Sequence, residues 1–94
     1  MHVGLLVVDC WVPLSRSLKD KRRVITSAVE RLKRRFNIAA CEVEYQNQWQ
    51  RARLAIVTVN TEPRMLESAL GHILEFLERN RELEVIGSER ETLL

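Results

Sequence analysis

The apolar run over residues 2–12 constrains the fold more than any other stretch of this chain. Successive side chains of a strand point to opposite faces, and one face of this run carries no charge: Gly4, Leu6, Val8, Cys10 and Val12. The other face is also apolar apart from Asp9. A strand that is apolar on both sides is typical of the centre of a sheet. We therefore predict a central strand that ends at Pro13.

A helix is predicted over residues 18–36, directly after this strand. Ser17 is a suitable N-cap, and Asp20, three residues further on, can return a hydrogen bond to the cap. Apolar residues recur with the 3.6-residue period of a buried helical stripe, at Leu18, Ile25, Ala28, Val29, Leu32 and Phe36. Asn37 is expected to follow the helix in a left-handed conformation.

Two more strands, a second helix and a last strand follow. Residues 38–45 alternate between small apolar side chains and glutamates, which indicates a half-exposed strand. Residues 52–60 are almost continuously apolar and predict a second central strand. Thr61 is the expected cap of a helix that ends near residue 79. Its buried stripe comprises Leu66, Ala69, Leu70, Ile73, Leu74 and Leu77. Residues 82–89 are short and charged, as edge strands often are.

The element order β-α-β-β-α-β predicts an α+β ferredoxin-like sandwich. Right-handed crossovers place the four antiparallel strands in the order 4-1-3-2, with both helices on one face. The 94 residues suffice for one domain, residues 1–94, with a single core. We find no secretory signal and no run long enough to span a bilayer. The expectation is a cytoplasmic protein that does not contact a membrane.

Cys10 and Cys41 are the two cysteines of the chain. Each lies in a strand-like apolar run, so both are expected to be small buried core residues in a reducing cytoplasm. They should remain unlinked, because the third strand separates theirs. No spacing typical of metal ligands occurs, and we expect neither a metal nor another cofactor.

Positive charge is concentrated between Ser15 and Phe36. This segment holds nine Lys or Arg against two acids, a local charge of +7 on a chain of +2. Such a segment can neutralise phosphates of RNA, or it can simply be a solvated face. The candidate phosphate contacts are Arg16, Lys19, Arg22, Arg23, Lys33 and Arg34. Lys21 is excluded, because it projects toward the buried side of the helix.

Three short motifs resemble the YlxP-like family of small uncharacterised bacterial proteins. They are Ser-Arg-Ser-Leu-Lys-Asp-Lys-Arg-Arg-Val over residues 15–24, Phe36-Asn37, and Gln-Trp-Gln-Arg-Ala over residues 48–52. The resemblance covers essentially the whole chain and implies a ferredoxin-like sandwich. Genes of this family often lie beside those of translation-initiation and ribosome-maturation factors. The resemblance thus implies a partner that is RNA or a ribosomal particle, by association only.

Trp49 and Arg51 form a second candidate contact point for RNA. Trp49 can stack on a base or fold back over the end of the core, and the sequence leaves both alternatives open. Stacking on the sheet, as RNA-recognition motifs do, is disfavoured because residues 53–59 contain no aromatic side chain.

Catalysis has little support, and we expect no enzyme activity. The chain has no nucleophile–base pair and no glycine-rich phosphate loop. A remote alternative is an acylphosphatase-like hydrolase, in which Arg16 holds a phosphate and Asn47 or Asn60 orients water. The missing glycine in the loop of Arg16 argues against it.

Leu5, Val7 and Trp11 support a further alternative, a homo-oligomeric interaction module. They lie on the strand face that the helices are not expected to cover, and exposed apolar patches often mark interfaces. Binding of RNA at the helices and self-association through the sheet are compatible.

Overall fold

The computed structural model describes residues 1–94. The elements, in chain order, are β1 (His2–Trp11), α1 (Leu18–Arg35), β2 (Ala39–Glu44), β3 (Arg51–Asn60), α2 (Pro63–Glu78) and β4 (Glu84–Thr92). The strands form one sheet in the order β2-β3-β1-β4, and every neighbouring pair is antiparallel. The predicted ferredoxin-like arrangement and strand order are confirmed.

The core lies between the sheet and its two helices. β1 and β3 pair so that Leu6 lies opposite Ile56 and Val8 opposite Leu54, and all four side chains are fully buried. α2 contributes most of its predicted stripe to the same core, and Ala69 is the one member of that stripe outside it. At Gly4 an added Cβ would lie 3.0 Å from a methyl group of Leu70. Glycine at this position therefore allows α2 to approach the strand closely.

The ends of the helices follow the sequence only in part. Ser17 caps α1 as predicted, with its Oγ accepting from the amide of Asp20 at 3.0 Å. The carboxylate of Asp20 accepts from the amide of Arg16 at 3.1 Å. Asn37 is not left-handed, since only Tyr45 has a positive φ. The cap of α2 is Glu62 rather than Thr61, and it makes no side-chain capping bond.

β2 presents the opposite faces from those that its sequence suggested. Cys41 is exposed, so the prediction of a buried core cysteine is wrong at this position. Cys41 pairs with Ala55 and Glu42 with Leu54. Leu54 belongs to the core, and Glu42 therefore points toward the helices while Cys41 lies on the uncovered face. A register shift between Glu42 and Glu44 returns Glu44 to that uncovered face.

The last strand and the buried Cys10 agree better with prediction. β4 is an edge strand, although it begins two residues later than expected and continues to Thr92. Cys10 is buried and both cysteines are free. Neither helix is long and apolar enough to cross a membrane.

Candidate nucleic-acid interface

Lys21 is completely buried even though it belongs to the basic helix α1. Its Nζ donates to Glu42 Oε2 at 2.8 Å and to three backbone carbonyls, those of Tyr45 at 2.6 Å, Arg51 at 3.1 Å and Gln46 at 3.3 Å. An ammonium has three protons, so the longest of these contacts shares one. A buried charge is tolerated when it is paired and hydrogen-bonded. Lys21 therefore anchors both ends of the loop between β2 and β3.

Tyr45 begins that loop in an unusual backbone conformation. Its φ of 67° is unfavourable for a residue with a side chain, at a cost of about 1–2 kcal/mol. Two contacts hold it there. Its carbonyl accepts from Lys21, and the guanidinium of Arg51 lies 4.2 Å from the centre of its ring, within the range of a cation–π interaction.

Gln50 joins this loop to the loop that precedes α1. Its Nε2 donates to the carbonyls of Pro13 at 3.1 Å and Ser15 at 3.3 Å, and its own carbonyl accepts from Val12 N at 2.8 Å. Ser15 is buried and donates to the carbonyl of the capping residue Ser17 at 3.0 Å. The two longest motifs of the sequence, residues 15–24 and 48–52, thus form one structural unit.

A depression of about 680 Å³ lies where these two loops meet. Arg16, Trp49 and Arg51 line it together, and Trp11 lines it as well. Trp49 is 56% exposed, so it does not cover the end of the core. Two tryptophans and two arginines are thus brought to one depression.

The outer surface of α1 carries the other candidate contacts, and Arg16 precedes the helix. Arg16, Lys19, Arg22, Arg23, Lys33 and Arg34 are all exposed. Arg23 alone among these six has a carboxylate within 4.0 Å: Glu82 accepts from it at 2.9 Å, and this hydrogen bond raises the pKa of Arg23. The candidates do not form one cluster. Lys33 lies about 20 Å from Lys19 along the helix axis.

The sheet face opposite the helices carries the predicted interface residues Leu5, Val7 and Trp11. Leu5 pairs with Val57 and Val7 with Ala55, which makes a continuous half-buried apolar centre. No element of the chain covers it. This face is therefore available to a partner.

A charged group borders this apolar centre. Arg53 Nε lies 3.5 Å from Asp9 Oδ1, and Arg53 Nη1 lies 3.3 Å from Glu44 Oε2. The charge of Asp9, followed by that of Glu44, raises the pKa of Arg53. Asp9 Oδ1 and Arg53 Nε are both buried without a well-formed hydrogen bond. Asp9 and Glu44 carry two negative charges against the one positive charge of Arg53. The border of the face is therefore slightly acidic at this group.

The structure also bears on the hydrolase alternative. Asn60 lies at the far end of β3 from Arg51, about 30 Å away, and Arg16 lines the depression beside Arg51. Asn60 is therefore wrong as a catalytic partner of Arg16. Asn47 is exposed in the loop and does not line the depression. No group of three or more His, Cys, Asp or Glu side chains is placed to hold a metal ion.

The sequence places Lys21 closer to the buried side of α1 but does not identify its partner. The signal for its burial was its position, three residues after Leu18 and four before Ile25, within the apolar stripe of the helix. Nothing in the alternation of β2 indicated that Glu42 turns inward to meet it.

The fold and the two connected loops define a ferredoxin-like α+β domain with a basic first helix. The chain belongs to the family described as Protein of unknown function (DUF503), whose model matches residues 3–90. It is 30% identical over 82 residues to the uncharacterized protein YlxP of Bacillus subtilis (strain 168), a match that covers 87% of this chain and 89% of the other. The family resemblance predicted from the motifs is thereby confirmed.

Among solved structures, the de novo designed protein Foldit4 is similar to this chain. The TM-score is 0.54 at 15% sequence identity, and the match covers 100% of this chain and 98% of the designed one. At this level of identity the similarity concerns the fold alone.

Proposed function

We propose that this protein is a non-catalytic RNA-binding factor that associates with ribosomal particles in the cytoplasm. The observation that carries the proposal is a set of exposed cations on and before α1 without carboxylate partners: Arg16, Lys19, Arg22, Lys33 and Arg34. A solvated face whose charges only stabilise the fold would be expected to pair more of them with nearby acids. Unpaired Lys and Arg are what a phosphate backbone requires.

The N-terminal end of α1 is the favoured place for the first phosphate. Arg16 precedes the cap, and the positive end of the helix dipole favours an anion there. Lys19 and Arg22 follow at a spacing of three residues, which places them on one side of the helix. The depression with Trp49 adjoins this end through Arg16, so a base can stack on Trp49 while its phosphate meets Arg16.

The test is binding of a structured RNA, measured by fluorescence anisotropy at increasing salt. Affinity should fall steeply from low to physiological salt, because each phosphate contact releases a counterion. The double variant Lys19→Glu/Arg22→Glu should lose at least about tenfold in affinity. Arg23 is left unchanged in this variant, because its replacement would also break the ion pair with Glu82.

The matched control is Arg64→Glu/Arg81→Glu, which changes the net charge equally at exposed residues outside α1. It should keep most of the affinity. Equal loss in both double variants would mean that only net charge matters, and no RNA binding at low salt would remove the proposal.

A second candidate function, self-association, is favoured by the uncovered apolar centre around Leu5, Val7, Ala55 and Val57. Stable interfaces bury about 1,200–2,000 Å² in total, and the uncovered face of the four-stranded sheet on each copy is the surface that could supply this area. The helices remain free on the outside of such a dimer. Self-association is therefore compatible with the proposed RNA contacts.

A further inference from the structure

We propose that the groove between α1 and α2 is a separate binding site for phosphate groups. It shares no residue with the RNA contacts proposed above. The groove has a volume of about 460 Å³, and four basic side chains line it: Arg31 and Arg35 from α1, and His72 and Arg79 from α2 or its end.

Helical spacing explains why these side chains face one another. Arg31 and Arg35 are four residues apart, and His72, Glu75 and Arg79 are three and four residues apart, so each set lies on one side of its helix. The sides of the two helices meet at the groove. The result is a basic ridge on α1, formed by Arg31 and Arg35, that faces His72, Glu75 and Arg79 across the groove.

Two aromatic rings form the floor of the groove. Phe36 and Phe76 meet edge to face with their centres 6.0 Å apart, and both pack against the hydrophobic core. The guanidinium of Arg35 lies 5.7 Å from the centre of the Phe76 ring, within cation–π range. The core holds both rings in place, and the Phe76 ring helps to hold Arg35 at the groove.

The charge of the groove is unbalanced. None of its three arginines has a carboxylate within 4.0 Å, and arginine does not lose its proton in proteins. Glu75 is the one acid in the lining. Three guanidinium groups around one groove favour an anion, and phosphate is one that guanidinium can bind in a bidentate manner.

The helix dipoles do not account for this arrangement. Basic residues in the last turn of a helix stabilise its carbonyl end, which explains Arg35 and Arg79. The effect falls off within one turn, whereas Arg31 and His72 lie further from the ends of their helices and still line the groove.

The experiment uses three phosphate probes: inorganic pyrophosphate, ADP and a single-stranded RNA decamer. Binding is followed by NMR through the Arg Nε–Hε signals and the ring protons of Phe36 and Phe76. The arginine signals of the groove should shift with at least one probe. Pyrophosphate alone indicates a free phosphate ligand, ADP with ring shifts indicates a nucleotide, and the decamer alone indicates an RNA strand; each supports the site.

Variants separate this site from non-specific attraction. Arg31→Gln/Arg35→Gln should weaken binding of the effective probe about tenfold or more, and Glu75→Gln should strengthen it because a repelling charge is removed. Arg64→Gln, an exposed arginine of α2 outside the groove, should change nothing. Lys19→Glu/Arg22→Glu should leave binding of pyrophosphate or ADP unchanged, so failure of the RNA proposal is distinguishable. The site is overturned if no probe binds at low salt, or if Arg64→Gln weakens binding as much as the groove variant.

Discussion

The ammonium of Lys21 lies 2.8 Å from the carboxylate of Glu42, and the pair joins the basic helix to an edge of the sheet inside the protein. The Lys21 side chain has no exposed surface and that of Glu42 only 17%. The same ammonium reaches the carbonyls at both ends of the β2–β3 loop. One cation thus determines the inward orientation of Glu42 and the position of the loop that presents Trp49.

Replacement of Lys21 by Met should be among the most damaging single changes. It leaves Glu42 charged without its partner and frees the carbonyls of the loop, a loss of about 3–5 kcal/mol in unfolding free energy. Urea denaturation measures it. Lys19→Met, on the exposed side of the same helix, is the control and should change stability by less than about 0.5 kcal/mol. A similar small change in both variants would contradict the role of Lys21.

Removal of both partners should be less harmful than removal of one. The double variant Lys21→Met/Glu42→Gln carries no unpaired buried charge, so it should be more stable than Lys21→Met alone. The coupling energy from the double-mutant cycle should amount to about 1–3 kcal/mol. Additive effects of the two replacements would show that the ion pair does not couple the residues.

The buried thiol of Cys10 should make the folded protein less stable at alkaline pH. Burial, followed by the charges of Asp9 and Glu42, raises the pKa of this thiol from 9.0 to about 12. Between these values the unfolded chain releases the proton while the folded chain keeps it. The stabilisation is complete below pH 9 and is lost as pH rises toward 12, at up to about 1.4 kcal/mol per pH unit. In Cys10→Ala this part of the pH dependence should disappear, as denaturation from pH 8 to 11 will show.

The two thiols should differ sharply in reactivity toward a disulfide reagent. Cys41 is exposed and Cys10 is buried, and the raised pKa of Cys10 disfavours the thiolate that reacts. One thiol per chain should react under native conditions at pH 8, and two in denaturant. Cys41→Ser should abolish the native reaction. Rapid native labelling of Cys10 would contradict its place in the core.

Self-association through the sheet is tested by substitutions on the uncovered face. Val7→Glu places a charge in the apolar centre and should convert a dimer to monomers in analytical ultracentrifugation. Trp11→Glu should act in the same direction, but Trp11 also lines the depression near Trp49, so Val7→Glu is the cleaner variant. Glu30→Lys, on the exposed side of α1, is the control. A wild-type protein that is monomeric at tens of micromolar would rule out this interface.

The sequence by itself determined the order and type of the elements, because their apolar periods of two and 3.6 residues are distinct. It also determined that β1 and β3 lie at the centre, since both are apolar on their two faces. The helical period also placed Lys21 closer to the buried side of α1 than its basic neighbours. In each case the pattern concerns a single helix or strand, because local periodicity shows which of its sides is buried and which is exposed to water.

Only the tertiary structure decided which face of β2 turns inward. Alternation separates Cys41 from Glu42 but does not state which one meets the core, and hydrophobicity alone favoured Cys41. The buried charge of Lys21 reversed this choice, because an unpaired ammonium costs more than the exposure of one small thiol. The groove lined by Arg31, Arg35 and Arg79 was also decided by the tertiary structure. The spacing along each helix shows which of its residues share a side, but only the packing of the two helices on the sheet brings Arg31 and Arg35 opposite His72 and Arg79.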